Sequence, residues 1–261
     1  MQDLTLSLLQ TNVEWHNPEA NRALLEKKIL TIVNKPNVIV LPEMFTTGFT
    51  MEVKNNAEPT EGPTLQWLKK LAAQTGSVLT GSIIVTEKGK YYNRLYWVKP
   101  NGEVQHYDKR HLFRMADEDK HFSEGNSNPV MEVNGWKVKP LICYDLRFPV
   151  WSRNVNQAYD LLLYVANWPQ ARVGAWDTLL KARAIENLCY SVGVNRVGTD
   201  EMNIVYNGHS ACYNFKGEVL TEQTEVDDII HIKISKTELI SYRDKFPAYL
   251  DADSFQINNF L

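Results

Sequence analysis

Three apolar stretches of this 261-residue chain end abruptly at residues capable of chemistry. Val38-Ile39-Val40-Leu41-Pro42 runs into Glu43, Val138 to Ile142 runs into Cys143, and Leu161 to Ala166 runs into Asn167. Ligands of α/β sheets bind beyond the carboxyl ends of the strands, so ends of this kind are where a site would be assembled. A cysteine attacks only as its thiolate, which needs a base or a positive field. Glu43, poorly solvated at the end of an apolar strand, could be that base. Six histidines (His16, His106, His111, His121, His209 and His231) offer the more usual base, but none has a diagnostic local context. The plain readings are a small buried hydrophobe for Cys143, a capping or ion-paired loop residue for Glu43, and a surface charge for Lys109. Cys189 and Cys212 lie inside strand-like runs and fit the plain reading better.

The elements that would position these residues follow from periodicity. Leu4 to Gln10 alternates as a strand. Pro18 to Val33 carries Ala23, Leu24 and Ile29 at helical spacing, with Asn17 as its cap. Val38 to Leu41 and Leu161 to Ala166 read as strands buried on both faces. Thr64 to Thr75 reads as a helix ended by Gly76. Ser77 to Thr86 and Tyr91 to Lys99 read as strands joined in a hairpin through Glu87-Lys88-Gly89-Lys90. Further strands are expected at Val104 to Tyr107, Val138 to Cys143, Cys189 to Asn195, Ser210 to Asn214, Glu218 to Leu220 and Ile229 to Ile234. A helix is expected at Trp176 to Asn187. Strands mixed with helices in this way give an α/β fold whose helices cover a buried sheet; two such layers would make an α-β-β-α sandwich. No linker, repeat or low-complexity tract divides the chain, so residues 1–261 read as one domain.

Composition narrows the function. A net charge of −3 argues against nucleic-acid and anionic-membrane partners, which need a basic face. Three widely spaced cysteines make no disulfide framework and suggest a reducing compartment, hence cytoplasm. The opening MQDLTLSLLQ lacks the apolar core of a signal peptide. No His-Glu-x-x-His, Cys-x-x-Cys, P-loop or Gly-x-Gly-x-x-Gly occurs, so neither a metal nor a nucleotide cofactor is expected.

Longer segments are more specific than single residues. Leu41-Pro42-Glu43-Met44-Phe45, Tyr107 to Phe113, and Leu141-Ile142-Cys143-Tyr144-Asp145-Leu146-Arg147-Phe148-Pro149 resemble the glutamate, lysine and cysteine segments of the nitrilase superfamily of carbon–nitrogen hydrolases, in that order. Phe122-Ser123-Glu124-Gly125 resembles the segment supplying a second glutamate, and Ala166-Asn167-Trp168-Pro169 a later block. The resemblance runs from the first strand to about Leu220. It is nearest the omega-amidase branch, which Tyr242 to Ala248 also resembles.

That resemblance implies a four-layer α-β-β-α sandwich without cofactors. It implies an amidase in which Glu43 takes the Cys143 proton, Lys109 and the Tyr144 backbone N–H stabilise the oxyanion, and a thioester is hydrolysed. Glu124 would orient Lys109 or the substrate nitrogen. The substrate would be a small amide such as 2-oxoglutaramate; another amidase, carbamoylase or nitrilase, or a catalytically idle binding protein, are the alternatives. Arg147 or Arg172 would grip the substrate carboxylate, although Arg147 could instead pair with Asp145. Phe45, Phe113, Tyr144, Asn167 and Trp168 would shape the pocket, the aromatics competing with roles in the core. A homodimer is implied, with residues of about 237–261 reaching the partner.

Overall fold

Alternation of apolar side chains along the strands gives two sheets that each bury both faces. The computed structural model describes residues 2–257. The strands are β1 (Leu4–Gln10), β2 (Val38–Val40), β3 (Glu58–Pro59), β4 (Val78–Glu87), β5 (Lys90–Val98), β6 (Val104–Asp108), β7 (Met131–Val133), β8 (Trp136–Ile142), β9 (Leu161–Ala166), β10 (Tyr190–Asn195), β11 (Val197–Thr199), β12 (Val205–Asn207), β13 (Ala211–Tyr213) and β14 (Asp228–Ile234). The helices are α1 (Pro18–Leu30), α2 (Val53–Asn56), α3 (Pro63–Thr75), α4 (Glu118–His121), α5 (Pro149–Ser152), α6 (Val173–Glu186) and α7 (Lys236–Lys245). The first sheet has the order β14-β1-β2-β4-β5-β6, with β3 beside β4; the second has the order β13-β10-β9-β8-β7.

Leu6, Leu8, Val38, Val40, Leu95 and Trp97 of the first sheet join Leu141, Leu163, Val165 and Val192 of the second in one shared core. Ile39, Leu79, Ile83 and Val85 point the other way, under α1 and α3. On the far side α6 lies on β10, where Gly193 makes room: a Cβ there would come within 2.5 Å of Trp176. The layers are therefore α1 and α3, first sheet, second sheet, α6, which is the expected α-β-β-α sandwich. Each fully buried aliphatic side chain in these layers contributes about 1.5–3 kcal/mol.

Local expectations hold in most places. Asn17 caps α1 by accepting from the Ala20 N–H at 3.2 Å, with Pro18 at the first helical position. The β4–β5 hairpin closes over Lys88 and Gly89, both at positive φ, because Glu87 pairs with Lys90. Two readings differ. The buried face of α1 is Asn21, Leu25 and Ile29, and Ala23 is exposed. Glu218 to Leu220 forms no strand, only a single bridge from Val219 to Tyr213. The polar α7 seats on its own chain: Leu239 is buried and Arg243 donates to the carbonyls of Leu188 and Tyr159. Residues 258–261, part of the stretch expected to reach a partner, lie outside the described residues.

Candidate active site

The ends of β2, β6 and β8 meet at one rim, and hydrogen bonds hold the loops that follow β2 and β6. Beyond β2, the Met44 and Phe45 N–H groups donate to the Ser82 hydroxyl and carbonyl, which fixes Glu43 against β4. Beyond β6, the Lys109 N–H donates to Asn93 O at 2.9 Å and Lys109 O accepts from the Gly125 N–H at 2.9 Å. Beyond β8, Cys143 opens a short 3₁₀ turn, Cys143–Arg147, with φ at 44°. A non-glycine residue in that region costs on the order of 1–3 kcal/mol, so the surrounding contacts must hold it.

Glu43 and Lys109 are almost completely buried. Lys109 Nζ donates to Glu43 Oε1 at 2.9 Å and to both Glu118 oxygens at 2.9 and 3.0 Å. It also lies 5.3 Å over the Phe49 ring. Glu43 accepts further from Asn93 Nδ2 at 2.7 Å and from the Asn167 backbone N–H at 2.8 Å. Burial alone would lower the Lys109 pKa, but the charges of Glu118 and Glu43 more than offset it, so the ammonium is held above its ordinary range. Burial, reinforced by the Glu43 charge, pushes the Cys143 thiol well up, with Lys109 opposing. Burial thus favours the thiol form of Cys143, an arrangement in which a neighbouring carboxylate such as Glu43 can act as base.

The second glutamate on Lys109 is Glu118, not Glu124. Glu124 is 58% exposed and pairs with Arg110 at 3.1 Å. Its segment approaches the lysine strand through backbone, for a Cβ on Gly125 would come within 2.1 Å of Asp108 O. Glu118 sits in the charge run Asp117-Glu118-Asp119-Lys120, where nothing local sets it apart from its neighbours. Asp117, at φ 58°, turns the chain so that Glu118 points inward, where it also accepts from the Phe113 N–H at 2.6 Å. Asn93 was missed as well; it stands beside Arg94 in β5, so local polarity does not set it apart.

A cavity of about 370 Å³ opens over Cys143. Phe113, Tyr144, Arg147, Asn167, Trp168 and Arg172 all line it, as expected. Phe45 does not: it is buried in the core beneath α3, 6.1 Å from the Trp67 ring, and Phe49 lines the cavity instead. Asn167 also serves Glu43, donating from Nδ2 to its carbonyl at 2.7 Å. Arg147 lies 5.1 Å over Trp168 and Arg172 5.3 Å over Phe113. Neither guanidinium forms an ion pair among the described residues. Asp145 is not paired with Arg147, because Tyr107 and His111 already occupy its oxygens. No group of three or more His, Cys, Asp or Glu among the described residues is arranged to hold a metal ion.

A buried Glu-Lys-Glu cluster beside a strand-end cysteine, on this sandwich, defines the class. Residues 5–244 match the carbon-nitrogen hydrolase family model, and the chain belongs to that family. It is 44% identical over 258 residues to the omega-amidase YafV of Escherichia coli (strain K12), covering 98% of this chain and 100% of that one. It is 34% identical over 251 residues to the 2-oxoglutaramate amidase of Bacillus subtilis (strain 168), covering 95% and 96%. Among solved structures, XC1258 from Xanthomonas campestris, a CN-hydrolase superfamily protein with an arsenic adduct in its active site, superposes with a TM-score of 0.97 at 42% identity, over 99% of this chain and 100% of that one.

Proposed function

We propose that the protein is an omega-amidase that hydrolyses the terminal amide of short 2-oxo dicarboxylic acid monoamides, such as 2-oxoglutaramate and 2-oxosuccinamate. The observation that carries this is a pair of arginines, Arg147 and Arg172, that form no ion pair among the described residues and line the same cavity as Cys143. They offer a bidentate site for the carboxylate at the far end of the substrate while its amide lies at the thiol. The names of the Escherichia coli and Bacillus subtilis relatives support the same substrate class.

Glu43 accepts the Cys143 thiol proton as sulfur attacks the amide carbon. The oxyanion forms beside Lys109, aided by the Tyr144 backbone N–H. Glu43 returns the proton to the leaving nitrogen, ammonia departs, and a thioester remains. Glu43 then takes a proton from water, the hydroxide adds to the thioester, and the acid and the thiol are released. Glu118 keeps Lys109 charged and aimed.

The chain acts as one domain, because the site draws on both sheets. It functions in a reducing compartment, most simply the cytoplasm, consistent with free Cys143, Cys189 and Cys212; no helix among the described residues is long and apolar enough to cross a membrane. It forms a homodimer. Val150, Val155 and Ile185, exposed at 54%, 50% and 44%, support that reading. They lie on and beside α5 and α6, which are joined by Arg153 donating to the Glu186 carbonyl and by the Asn154 N–H donating to Asn187 Oδ1 at 2.8 Å.

The test is ammonia release from 2-oxoglutaramate, an alkyl nitrile and an N-carbamoyl amino acid. The first should dominate, C143A should abolish it, and R147A or R172A should raise KM about 10- to 100-fold, the range of a lost charged hydrogen bond. Preference for the nitrile or the carbamoyl compound would overturn the reading, as would full activity of C143A.

A further inference from the structure

Lys109 and Cys143 belong to different sheets, and no hydrogen bond joins the two side chains, yet their chemistry requires a fixed separation. A single buried carboxylate, Asp145, touches the segments that carry both. Asp145 Oδ2 accepts from the Ile142 N–H at 3.0 Å, immediately before Cys143. The same oxygen accepts from the Tyr107 hydroxyl at 2.8 Å, two residues before Lys109. Asp145 Oδ1 accepts from the His111 N–H at 3.0 Å and faces His111 Nδ1 at 2.7 Å, two residues after Lys109. With a carboxylate as partner, Nδ1 is the donor.

The Tyr107 hydroxyl extends the array. It accepts from the Arg110 N–H at 3.2 Å and from Trp151 Nε1 at 3.0 Å. His111 is held flat, stacked 3.8 Å from the Phe148 ring with 5° between the planes. Asp145 is fully buried, so the buried donors, the Ile142 N–H and the Tyr107 hydroxyl, would lose their partner without water to replace it.

We propose that Asp145, through Tyr107 and His111, is the positioning residue that locks the left-handed Cys143 turn to the Lys109 loop and so sets the geometry of attack. This rests on the assignment of Cys143 as nucleophile and Lys109 as oxyanion partner. Asp145 touches no reacting atom. Removing it lets the Cys143 turn and the lysine loop shift relative to each other, and a misplacement of about 1 Å costs on the order of 100-fold in rate. Asparagine keeps the shape but presents an NH₂ where the array needs an acceptor.

The experiment compares the parent with D145N and Y107F. It measures kcat and KM on 2-oxoglutaramate per Cys143 titrated by iodoacetamide, the second-order rate of that alkylation, and Tm. The expectation for D145N is a fall in kcat of about 100-fold per titrated site, KM within about threefold, and alkylation slowed at least about tenfold; for Y107F, a smaller fall of about tenfold in kcat. A purely structural role would lower Tm while leaving kcat per titrated site intact, and that result would overturn the proposal. If D145N yields no folded protein, Y107F decides by the same criterion. If the parent itself releases no ammonia, the amidase reading fails, and the relative alkylation rates still decide whether Asp145 sets the cysteine's environment.

Discussion

At the scale of single residues, position outweighs residue type. Two glutamates six residues apart differ entirely in setting: Glu118 is fully buried on Lys109, while Glu124 is on the surface with Arg110. E118Q should therefore lower kcat by about 100-fold or more, the size of effect seen when oxyanion stabilisation is lost, whereas E124Q should stay within about twofold of the parent in the same steady-state assay. Lys139 gives a second prediction. It lies in β8, 5% exposed, donating to the Trp151 carbonyl at 2.8 Å, and burial pulls its pKa down to about 8. A lysine lowered in the folded state binds fewer protons there than in the unfolded chain between about pH 8 and 10.5. Its burial penalty is thus present below pH 8 and is relieved as pH rises. Urea unfolding of the parent and K139M should show the parent gaining about 1 kcal/mol relative to the variant from pH 7 to 9. A constant difference would mean that Lys139 does not titrate in this range.

At the scale of elements, the site depends on strand ends held in register and on helices that approach closely. Gly193 is where this is least forgiving: α6 lies on β10 with Trp176 and Leu180 in the space a side chain would take. Trp176 packs 5.5 Å from Trp168, which lines the cavity. G193A should destabilise the protein by about 1–3 kcal/mol through overpacking, read as a Tm lower by several degrees. An unchanged Tm would mean that α6 can move aside without loss. The elements themselves were largely legible. Leu161 to Ala166 is a strand as read, and the Lys88-Gly89 turn has its φ values dictated by the hairpin. The hairpin β11–β12, whose connecting segment places Met202 and Ile204 on the cavity, was not legible, because its two strands are only three residues each and carry too little periodicity. Nor was α7, whose ten residues are mostly polar and whose place is fixed by Leu239 and Arg243 meeting the rest of the chain.

At the scale of the whole molecule, the two sheets share one core, so the rim holding Glu43, Lys109 and Cys143 moves as a unit only while that core is intact. The proposed dimer adds to it. Sedimentation at micromolar concentration should give twice the 30.0 kDa chain mass, and V150E with I185E should return the single mass. A parent that sediments as one chain would leave exposed Val150, Val155 and Ile185 without that role.

The sequence by itself determined the α/β class, the strand ends and the ordered Glu43, Lys109 and Cys143, because apolar periodicity and contiguous segments are written locally. Its reading of Cys189 and Cys212 as small buried residues in strand-like runs agrees with their full burial, which pushes the Cys189 thiol up to about 12. Only the tertiary structure decided which glutamate serves Lys109, since the direction of a side chain depends on a turn such as that at Asp117. Only it showed that Arg147 does not pair with Asp145, because the competing claim on that carboxylate comes from Tyr107 and His111, 38 and 34 residues away. And only it moved Phe45 into the core and brought Phe49 to the cavity, for two aromatics four residues apart differ in which side of a loop faces the protein, a matter of packing that no local spacing encodes.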